Sequence, residues 1–213
     1  MEGFRSILKK IENMSGDPRA GFTLVELLVS LMIFSVSMGV VSQLFTFSLK
    51  AERMLASHAQ LVNEMSYNME HISRGLRMAK KSKLTDPACL SAENINYETT
   101  THVYGSQTTY GIKFQNPTMS GTVDCVEYYM GYVSYPGKAV LMERRSSNGV
   151  FLYDLPMNSP AVELLHFNIS GTGWPQEDEL QPRVTIYIET KGKEGQILKI
   201  QTTVSQRNLD IRN

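Results

Sequence analysis

Glu26 is the residue whose position in this sequence most needs a chemical explanation. It is the only ionisable side chain between Arg19 and Lys50, and it lies near the start of a long apolar run. A carboxylate inside a membrane is costly unless it is paired with a cation or reaches the interface. Glu26 therefore needs a positively charged partner, or its side chain must extend to the lipid headgroups.

A cut in the chain before Phe22 would supply a cation. Phe22 precedes Glu26 by about 6 Å along a helix axis, so a new α-amino group there could pair with this carboxylate in the same or in a neighbouring chain. Gly21 suits the position before the cut because it presents no side chain to a protease and lets the backbone extend. Pro18 discourages a helix from running through the site.

The apolar segment 22–49 is long enough to cross a bilayer. It contains one charged residue among 28, and as a helix it would measure about 42 Å against a hydrocarbon thickness of about 30 Å. The polar segment 1–21 precedes it and carries four basic residues, Arg5, Lys9, Lys10 and Arg19. Basic residues on this side favour a cytoplasmic N-terminus, so we expect the rest of the chain to lie outside the cytoplasm.

Two other kinds of N-terminal segment have to be weighed. A cleaved secretory signal has a shorter apolar core followed by a small-residue cleavage site, which does not fit this run. An uncleaved signal anchor has the same hydropathy, so hydropathy alone does not separate it from a more specific segment. It leads to the alternative that the chain is a signal-anchored extracytoplasmic binding protein or enzyme.

The sequence GFTLVE at 21–26, followed by a long apolar helix, resembles the processing and methylation motif of type IV prepilins and pseudopilins. The resemblance implies that prepilin peptidase cuts after Gly21, that Phe22 becomes the methylated N-terminus, and that Glu26 guides docking of the subunit in the filament. The catalytic residues of this reaction belong to the peptidase, so no catalytic residue and no cofactor are expected in this chain. The leader 1–21 is longer than many in the family, which leaves Met14 as an alternative translation start.

The resemblance also implies partners: prepilin peptidase, other pilin or pseudopilin subunits packed through the N-terminal helix, the inner-membrane assembly platform and the cytoplasmic membrane. The mature length, the C-terminal strands and the closing segment 204–208 are similar to those of minor subunits, particularly the J-type pseudopilin of type II secretion and the W-type minor pilin. Retention of Glu26 argues against the K-type tip pseudopilin, whose pattern lacks this glutamate. A secretion pseudopilus, an adhesive or twitching pilus and a DNA-uptake pilus all stay open.

Residues 50–81 are predicted to continue the helix as an amphipathic half. No proline interrupts 22–81, and charged residues occupy the other faces of this half. The apolar residues recur at three- and four-residue spacing: Leu55, Ala59, Val62, Met65, Met69, Ile72, Leu76 and Ala79. We expect the first half of the helix to lie in lipid or against sibling helices, and the second half to pack on a soluble domain.

The C-terminal part of the sequence predicts a β-rich head at 108–213, after a polar connecting loop at 82–107. Seven segments have the composition of strands: Thr108–Phe114, Val123–Val133, Ala139–Arg144, Val150–Tyr153, Val162–Ile169, Val184–Thr190 and Ile197–Val204. The last two alternate apolar and polar residues and are joined by the glycine-containing turn 191–195. The predicted fold class is α+β, with a long N-terminal helix packed on a mostly antiparallel sheet.

The two cysteines leave two interpretations open. Cys89 lies in the predicted loop and Cys125 in a predicted strand. Outside the cytoplasm a disulfide can persist, and a bridge across this interval would stabilise the fold by about 3 to 4 kcal/mol. Two free buried thiols are the alternative.

Other chemistry is weakly represented in the sequence. The four histidines are scattered through different elements, and no metal site or catalytic triad is predicted from His58, His71, His102 and His166. Lysine plus arginine (21) equals aspartate plus glutamate (21), so the composition does not favour a nucleic-acid binder. We therefore expect no metal and no specific nucleic-acid partner.

Overall fold

The computed structural model describes residues 21–82, 89–117, 123–134, 137–147, 150–174 and 180–207. The chain divides into two compact units, Met1–Glu52 and Arg53–Asn213. Apart from Gly21, the predicted leader lies outside the described residues.

One long helix, α1, runs from Leu24 to Arg77 and comprises 54 residues. The sequence predicts helix as far as residue 81, but the helix ends earlier because the backbone changes its hydrogen-bond partners. Met78 N–H bonds the Gly75 carbonyl at 3.1 Å, which tightens the last turn, and Lys80 N–H bonds the Gln115 carbonyl at 2.8 Å. The chain thus leaves the helix by pairing with a strand of the head.

The N-terminal unit exposes its apolar side chains. All described residues from 21 to 50 are solvent-exposed. The most apolar window of α1 has a mean hydropathy of 2.3 and no buried residue, so by length and composition the helix can cross a membrane. A helix that is apolar all round needs lipid or other protein around it.

The head contains two antiparallel sheets among its described residues. The five-stranded sheet has the order β1-β2-β3-β4-β5, with β1 at Tyr97–Tyr104, β2 at Gln107–Pro117, β3 at Val123–Tyr132, β4 at Ala139–Ser147 and β5 at Val150–Pro156. The three-stranded sheet has the order β6-β7-β8, with β6 at Glu163–Thr172, β7 at Arg183–Lys191 and β8 at Ile197–Ser205. Each sheet is a meander, since consecutive strands are neighbours.

The second half of α1 supplies one side of the core of the head. Its buried apolar residues are Leu61, Met65, Met69, Ile72 and Leu76, which pack in one cluster with side chains of both sheets. Gly75 allows close approach, because a Cβ there would lie 3.2 Å from both Phe114 and Tyr128. The hydroxyl of Tyr97 donates to the Leu76 carbonyl at 2.7 Å, so a buried polar group is satisfied inside the core.

The α+β class and the antiparallel pairing agree with the sequence prediction, and the seven predicted β segments correspond to β2 through β8. The structure differs at 82–107, where β1 occupies part of the predicted loop and pairs with β2 from Tyr97↔Phe114 to Tyr104↔Gln107. Only Tyr97 of this strand is fully buried, so its polar sequence lacks the apolar alternation of a half-buried strand. The strands also form two sheets rather than one.

Cys89 and Cys125 form a disulfide, with a Cα–Cα distance of 5.5 Å. Cys125 belongs to β3, as the sequence predicts for a strand position, and Cys89 precedes β1. The bridge therefore ties the segment between α1 and β1 to the middle strand of the five-stranded sheet.

Candidate functional site

Thr23 and Glu26 form a reciprocal cap at the start of α1. The backbone N–H and the hydroxyl of Thr23 each donate to Glu26 Oε2 at 3.1 Å. The backbone N–H of Glu26 lies 3.3 Å from Thr23 Oγ1. This is the capping-box arrangement, in which a threonine and a glutamate three residues later satisfy backbone donors that the first turn leaves free.

The same contacts place the predicted cut outside the helix. The Thr23 carbonyl accepts from Leu27 N–H at 3.2 Å, so Thr23 is the capping residue and Gly21 and Phe22 precede the helix. Phe22 is 83% exposed, and a Cβ at Gly21 would meet nothing within 4 Å. A peptidase needs a peptide bond that is accessible and not locked in a helix, and the 21–22 bond has both properties.

The negative charge of the Glu26 carboxylate is partly stabilised by the start of the helix itself. Its carboxylate accepts hydrogen bonds from Thr23 and lies in the first turn of α1, where the helix dipole presents the equivalent of roughly half a positive charge. A full positive charge nearby would stabilise the carboxylate further. Sequence reasoning treats Glu26 only as a charge and misses its capping role, although Thr-x-x-Glu before an apolar run is a recognisable signal for it.

Cys89 and Cys125 lie in the head unit, and the structure assigns them a structural bridge rather than a chemical site. Among the described residues, no group of three His, Cys, Asp or Glu is arranged to hold a metal ion.

The head does contain a buried acidic group with several partners. Glu127 of β3 is buried, and its carboxylate contacts His102 Nε2 at 2.7 Å, the Thr100 hydroxyl and Arg144 Nη1 at 3.4 Å. Burial alone would raise the pKa of Glu127, but the hydrogen bonds from His102 and Thr100 and the charges of His102 and Arg144 outweigh it and lower the pKa below the ordinary value. Sequence spacing gives no sign of this cluster, because its members come from three strands.

A second histidine and glutamate pair lies where α1 meets β4. His71 Nε2 is 2.9 Å from Glu143 Oε2, and Arg145 Nε donates to Glu143 Oε1 at 2.6 Å. In both clusters the carboxylate is already paired with a histidine, an arginine and a hydroxyl of the head. The sequence motif at the N-terminus therefore remains the segment with assignable chemistry.

Comparison with known protein families matches residues 17–42 to the prokaryotic N-terminal methylation motif. At this segment the chain carries the N-terminal motif of type IV prepilins and pseudopilins. The match covers Gly21, Phe22 and Glu26 and extends into the exposed half of α1. No curated protein and no solved structure gives a significant match to the chain.

The prepilin motif gives the N-terminal features a common explanation. The motif implies processing by prepilin peptidase and assembly with other pilins. Together with the exposed apolar helix it indicates anchoring in a membrane. It also indicates a structural subunit rather than an enzyme.

Proposed function

We propose that the chain is a minor pilin or pseudopilin subunit, made as a precursor, trimmed after Gly21, methylated on Phe22 and assembled into a type IV pilus-like filament. The observation that carries this proposal is the coincidence of the methylation motif with the start of the exposed apolar half of α1, in which Glu26 is the one carboxylate and caps the first turn. The motif supports processing by prepilin peptidase, and the exposed apolar half of α1 supports assembly through this surface.

The proposed route begins in the cytoplasmic membrane, with a single crossing at 22–49 and an extracytoplasmic head. The basic residues of the leader support this orientation. The disulfide of the head is also in keeping with it, because such bonds persist in oxidising compartments.

Assembly transfers the apolar half of α1 from lipid to a bundle of sibling helices. Glu26 is proposed to pair with the α-amino group that trimming creates at Phe22 of a neighbouring subunit. Its carboxylate is held at the first turn by Thr23, which fixes the acid near the end of the helix where another chain's N-terminus would meet it. The fixed carboxylate reduces the entropy lost on pairing.

A minor subunit similar to the J-type pseudopilin or the W-type minor pilin fits the eight described strands of the head and the closing segment 204–208. The inner-membrane assembly platform is the proposed machinery of insertion. Deleting the gene and scoring secretion, motility and DNA uptake in the same strain chooses among the filament systems, because each has one of these outputs.

Trimming is tested with the full precursor expressed with and without active prepilin peptidase. We expect Gly21→Leu to abolish trimming, since a bulky side chain would occupy the space before the cut. Gly39→Leu is the matched control, because a Cβ at Gly39 also meets nothing within 4 Å. Normal trimming of Gly21→Leu, or an intact wild-type precursor beside active peptidase, contradicts the proposal and favours a signal-anchored binding protein or enzyme.

Docking is tested with substitutions that separate charge from capping. Glu26→Ala removes both, whereas Glu26→Gln removes the charge and keeps an oxygen that can accept from Thr23. We expect both variants to be trimmed and both to be incorporated into filaments poorly. Glu52→Gln, at an exposed position of the same helix, should be incorporated normally. Normal incorporation of Glu26→Gln would show that Glu26 acts as a cap and not through its charge.

A further inference from the structure

A polar cavity lies in the head between α1 and the turn that joins β7 to β8. Its volume is about 480 Å³, within the range of roughly 300 to 1,000 Å³ that small-molecule sites occupy. α1 contributes Arg53, Ser57 and Gln60 to its lining, and the turn contributes Lys193 and Glu194. All of these residues belong to the head unit, so the cavity is a feature of the head alone.

The two walls of the cavity are held by local structure. The three α1 residues stand at positions i, i+4 and i+7, so they share one face of the helix. Within the turn, Gly192 N–H donates to the Gln196 carbonyl at 2.8 Å, and Gly195 N–H donates to the Gly192 carbonyl at 3.0 Å. The side chain of Gln196 reaches back to α1, where its Nε2 donates to the Met54 carbonyl at 3.4 Å.

The charged side chains of this cavity differ from those elsewhere in the head because they lack protein partners. Arg53, Lys193 and Glu194 are all exposed, and none of them forms an ion pair with another described residue. By contrast, Arg144 is paired with Asp154 at 2.8 Å. Two unpaired cations and one unpaired carboxylate therefore line a single cavity.

This set of groups fits a ligand with a phosphate and an ammonium group. A guanidinium binds phosphate through paired N–H groups, and a lysine ammonium binds it as a point charge. The hydroxyl of Ser57 and the amide of Gln60 are further donors in the lining. Glu194 would repel a phosphate but would accept hydrogen bonds from an ammonium group, so a zwitterion suits the cavity better than a free anion.

Apolar side chains beside the cavity indicate that the ligand is a lipid. Met54 and Leu55 follow Arg53 directly, and Ile197 follows the turn. Each of these three side chains is more than half exposed. Charged groups for a headgroup next to exposed apolar groups for acyl chains are the combination that a membrane surface presents to a protein.

The position of Arg53 in the chain keeps the cavity near a membrane. Arg53 is the fourth residue after the apolar segment 22–49. Four residues reach at most about 14 Å even when fully extended, so this limit holds for any arrangement of the two compact units. With segment 22–49 in a bilayer, Arg53 therefore lies close to the layer of phosphate headgroups.

We propose that this cavity binds the headgroup of a membrane phospholipid that carries a phosphate and a primary ammonium group, as phosphatidylethanolamine does. Arg53 and Lys193 bind the phosphate, the Ser57 hydroxyl donates to it, and Glu194 accepts from the ammonium group. Basic pockets at a membrane surface are established sites for lipid headgroups. The bound lipid holds the head at the membrane surface until the subunit enters a filament, and only this last step rests on the proposed function.

The experiment uses the full chain, purified in detergent after coexpression with prepilin peptidase. The probes are inorganic phosphate and the dihexanoyl forms of phosphatidylethanolamine, phosphatidylglycerol and phosphatidylcholine. Native mass spectrometry measures binding, and hydrogen exchange of the amides at 192–196 locates it. We expect the ethanolamine lipid to bind and to protect the turn. The glycerol lipid lacks the ammonium group and the choline lipid lacks its N–H donors, so both should bind at least about fivefold more weakly.

Substitutions of the charged residues test the role of each group. The double substitution Arg53→Gln and Lys193→Gln should weaken binding of the ethanolamine lipid at least about tenfold. Lys138→Gln is the control, because it removes a positive charge at an exposed position of the head that does not line the cavity. Glu194→Gln should abolish the preference for ethanolamine over glycerol. An unchanged preference in Glu194→Gln would overturn the assignment of the ammonium group.

A pair of alanines separates binding in the cavity from general attraction to a basic surface. Ala56 and Ala59 are both exposed on α1, but only Ala56 lines the cavity. Ala56→Phe keeps every charge and fills part of the cavity, so it should abolish binding of the ethanolamine lipid. Ala59→Phe should leave binding unchanged. Equal binding by the two variants would overturn the cavity as the site.

Three further results would overturn the lipid proposal. The first is equal affinity for the three lipids, which reduces binding to partition into the detergent. The second is protection of the turn by inorganic phosphate at the same concentration, which makes the ligand a free phosphate. The third is protection that depends only on the concentration of the chain, which assigns this surface to another copy.

Trimming at Gly21 is scored on the same preparations, so the two proposals fail separately. A trimmed chain that binds no lipid contradicts the lipid proposal alone. A chain that stays untrimmed beside active peptidase contradicts the proposed function, whether or not it binds the lipid.

Discussion

The two halves of α1 differ in the exposure of their apolar side chains. Ile33, in the first half, is 62% exposed, whereas Ile72, in the second half, is 0% exposed and belongs to the core of the head. The first half is apolar all round, and the second has a single apolar stripe. A helix with a single apolar stripe can bury that stripe against its own chain, whereas a helix that is apolar all round needs lipid or other protein around it.

The hydrogen-bond partners of polar side chains also differ between the two halves of α1. In the first half the hydroxyls of Ser35 and Ser37 donate to carbonyls of the same helix, Leu31 and Ile33, each at 2.8 Å. Local satisfaction of this kind is what an apolar environment requires. In the second half Glu64 accepts from the Ser159 hydroxyl at 3.0 Å, a contact with a distant part of the head.

Removing the disulfide should have the largest effect on the stability of the head. The double substitution Cys89→Ser and Cys125→Ser opens a loop with a sequence separation of 36, and the chain-entropy account predicts a loss of about 4 kcal/mol in the free energy of unfolding. Urea denaturation followed by tryptophan fluorescence measures this loss. Trimming at Gly21 should stay unchanged, because the cut lies in the other unit. Two cysteines that label with a thiol reagent in unreduced wild-type protein would contradict the account.

A matched pair of isoleucines tests the comparison of the two halves directly. Ile72→Ala should lower the free energy of unfolding of the head by about 3 kcal/mol, because it leaves a cavity in a packed core. Ile33→Ala should change it by less than about 0.5 kcal/mol. Both are measured in the same detergent by urea denaturation. Equal effects at the two positions would remove the distinction between the halves.

Lowering the pH should destabilise the head through protonation of Glu127. The expected loss in the free energy of unfolding is smaller than the loss caused by removing a core side chain. The folded state lowers the pKa of this carboxyl below its ordinary value of 4.5, so its contribution is present above that value and is lost as the pH falls through the folded pKa. Glu127→Gln should therefore show a shallower fall in stability below about pH 4.5. Denaturation midpoints across the acidic range, down to well below the ordinary carboxyl pKa, measure the slope. Identical slopes for wild type and variant would exclude a role for Glu127.

Loss of the helix cap should have the smallest effect. Thr23→Ala removes the capping hydroxyl and should destabilise the first turn of α1 by about 1 kcal/mol without altering the unfolding of the head. Thr46→Ala, whose hydroxyl donates to the Gln43 carbonyl of the same helix, is the control. Hydrogen exchange of the amides at 23–27 measures the fraying. Equal protection in Thr23→Ala and wild type would show that the cap does not hold the helix start.

The local order of apolar and polar residues is sufficient to predict some of the helices and strands. The apolar stripe predicts the buried face of α1 correctly from Met65 onward, but Leu55 and Ala59 are exposed, and Leu61, which the stripe omits, is buried. Alternating residues predict β7 and β8. The pattern misses β1 because its side chains are mostly polar, so pairing with β2 and the burial of Tyr97 decide its structure. The split into two sheets also depends on contacts that no local pattern encodes.

The N-terminal site is predictable in part. The spacing of Gly21, Phe22 and Glu26 identifies the segment from residue types alone, and the family match covers the same residues. The reciprocal contacts of Thr23 and Glu26 do not follow from the charge of Glu26, because they depend on the free donors of the helix start.

Mass spectrometry of the N-terminus of the protein extracted from its native cells tests the central claim most directly. The account predicts a chain that begins at Phe22 with one methyl group on its α-amine, recovered in filaments together with other pilin-like subunits. Recovery of the chain with residues 1–21 still attached, in cells whose prepilin peptidase is active and outside any filament, would contradict it.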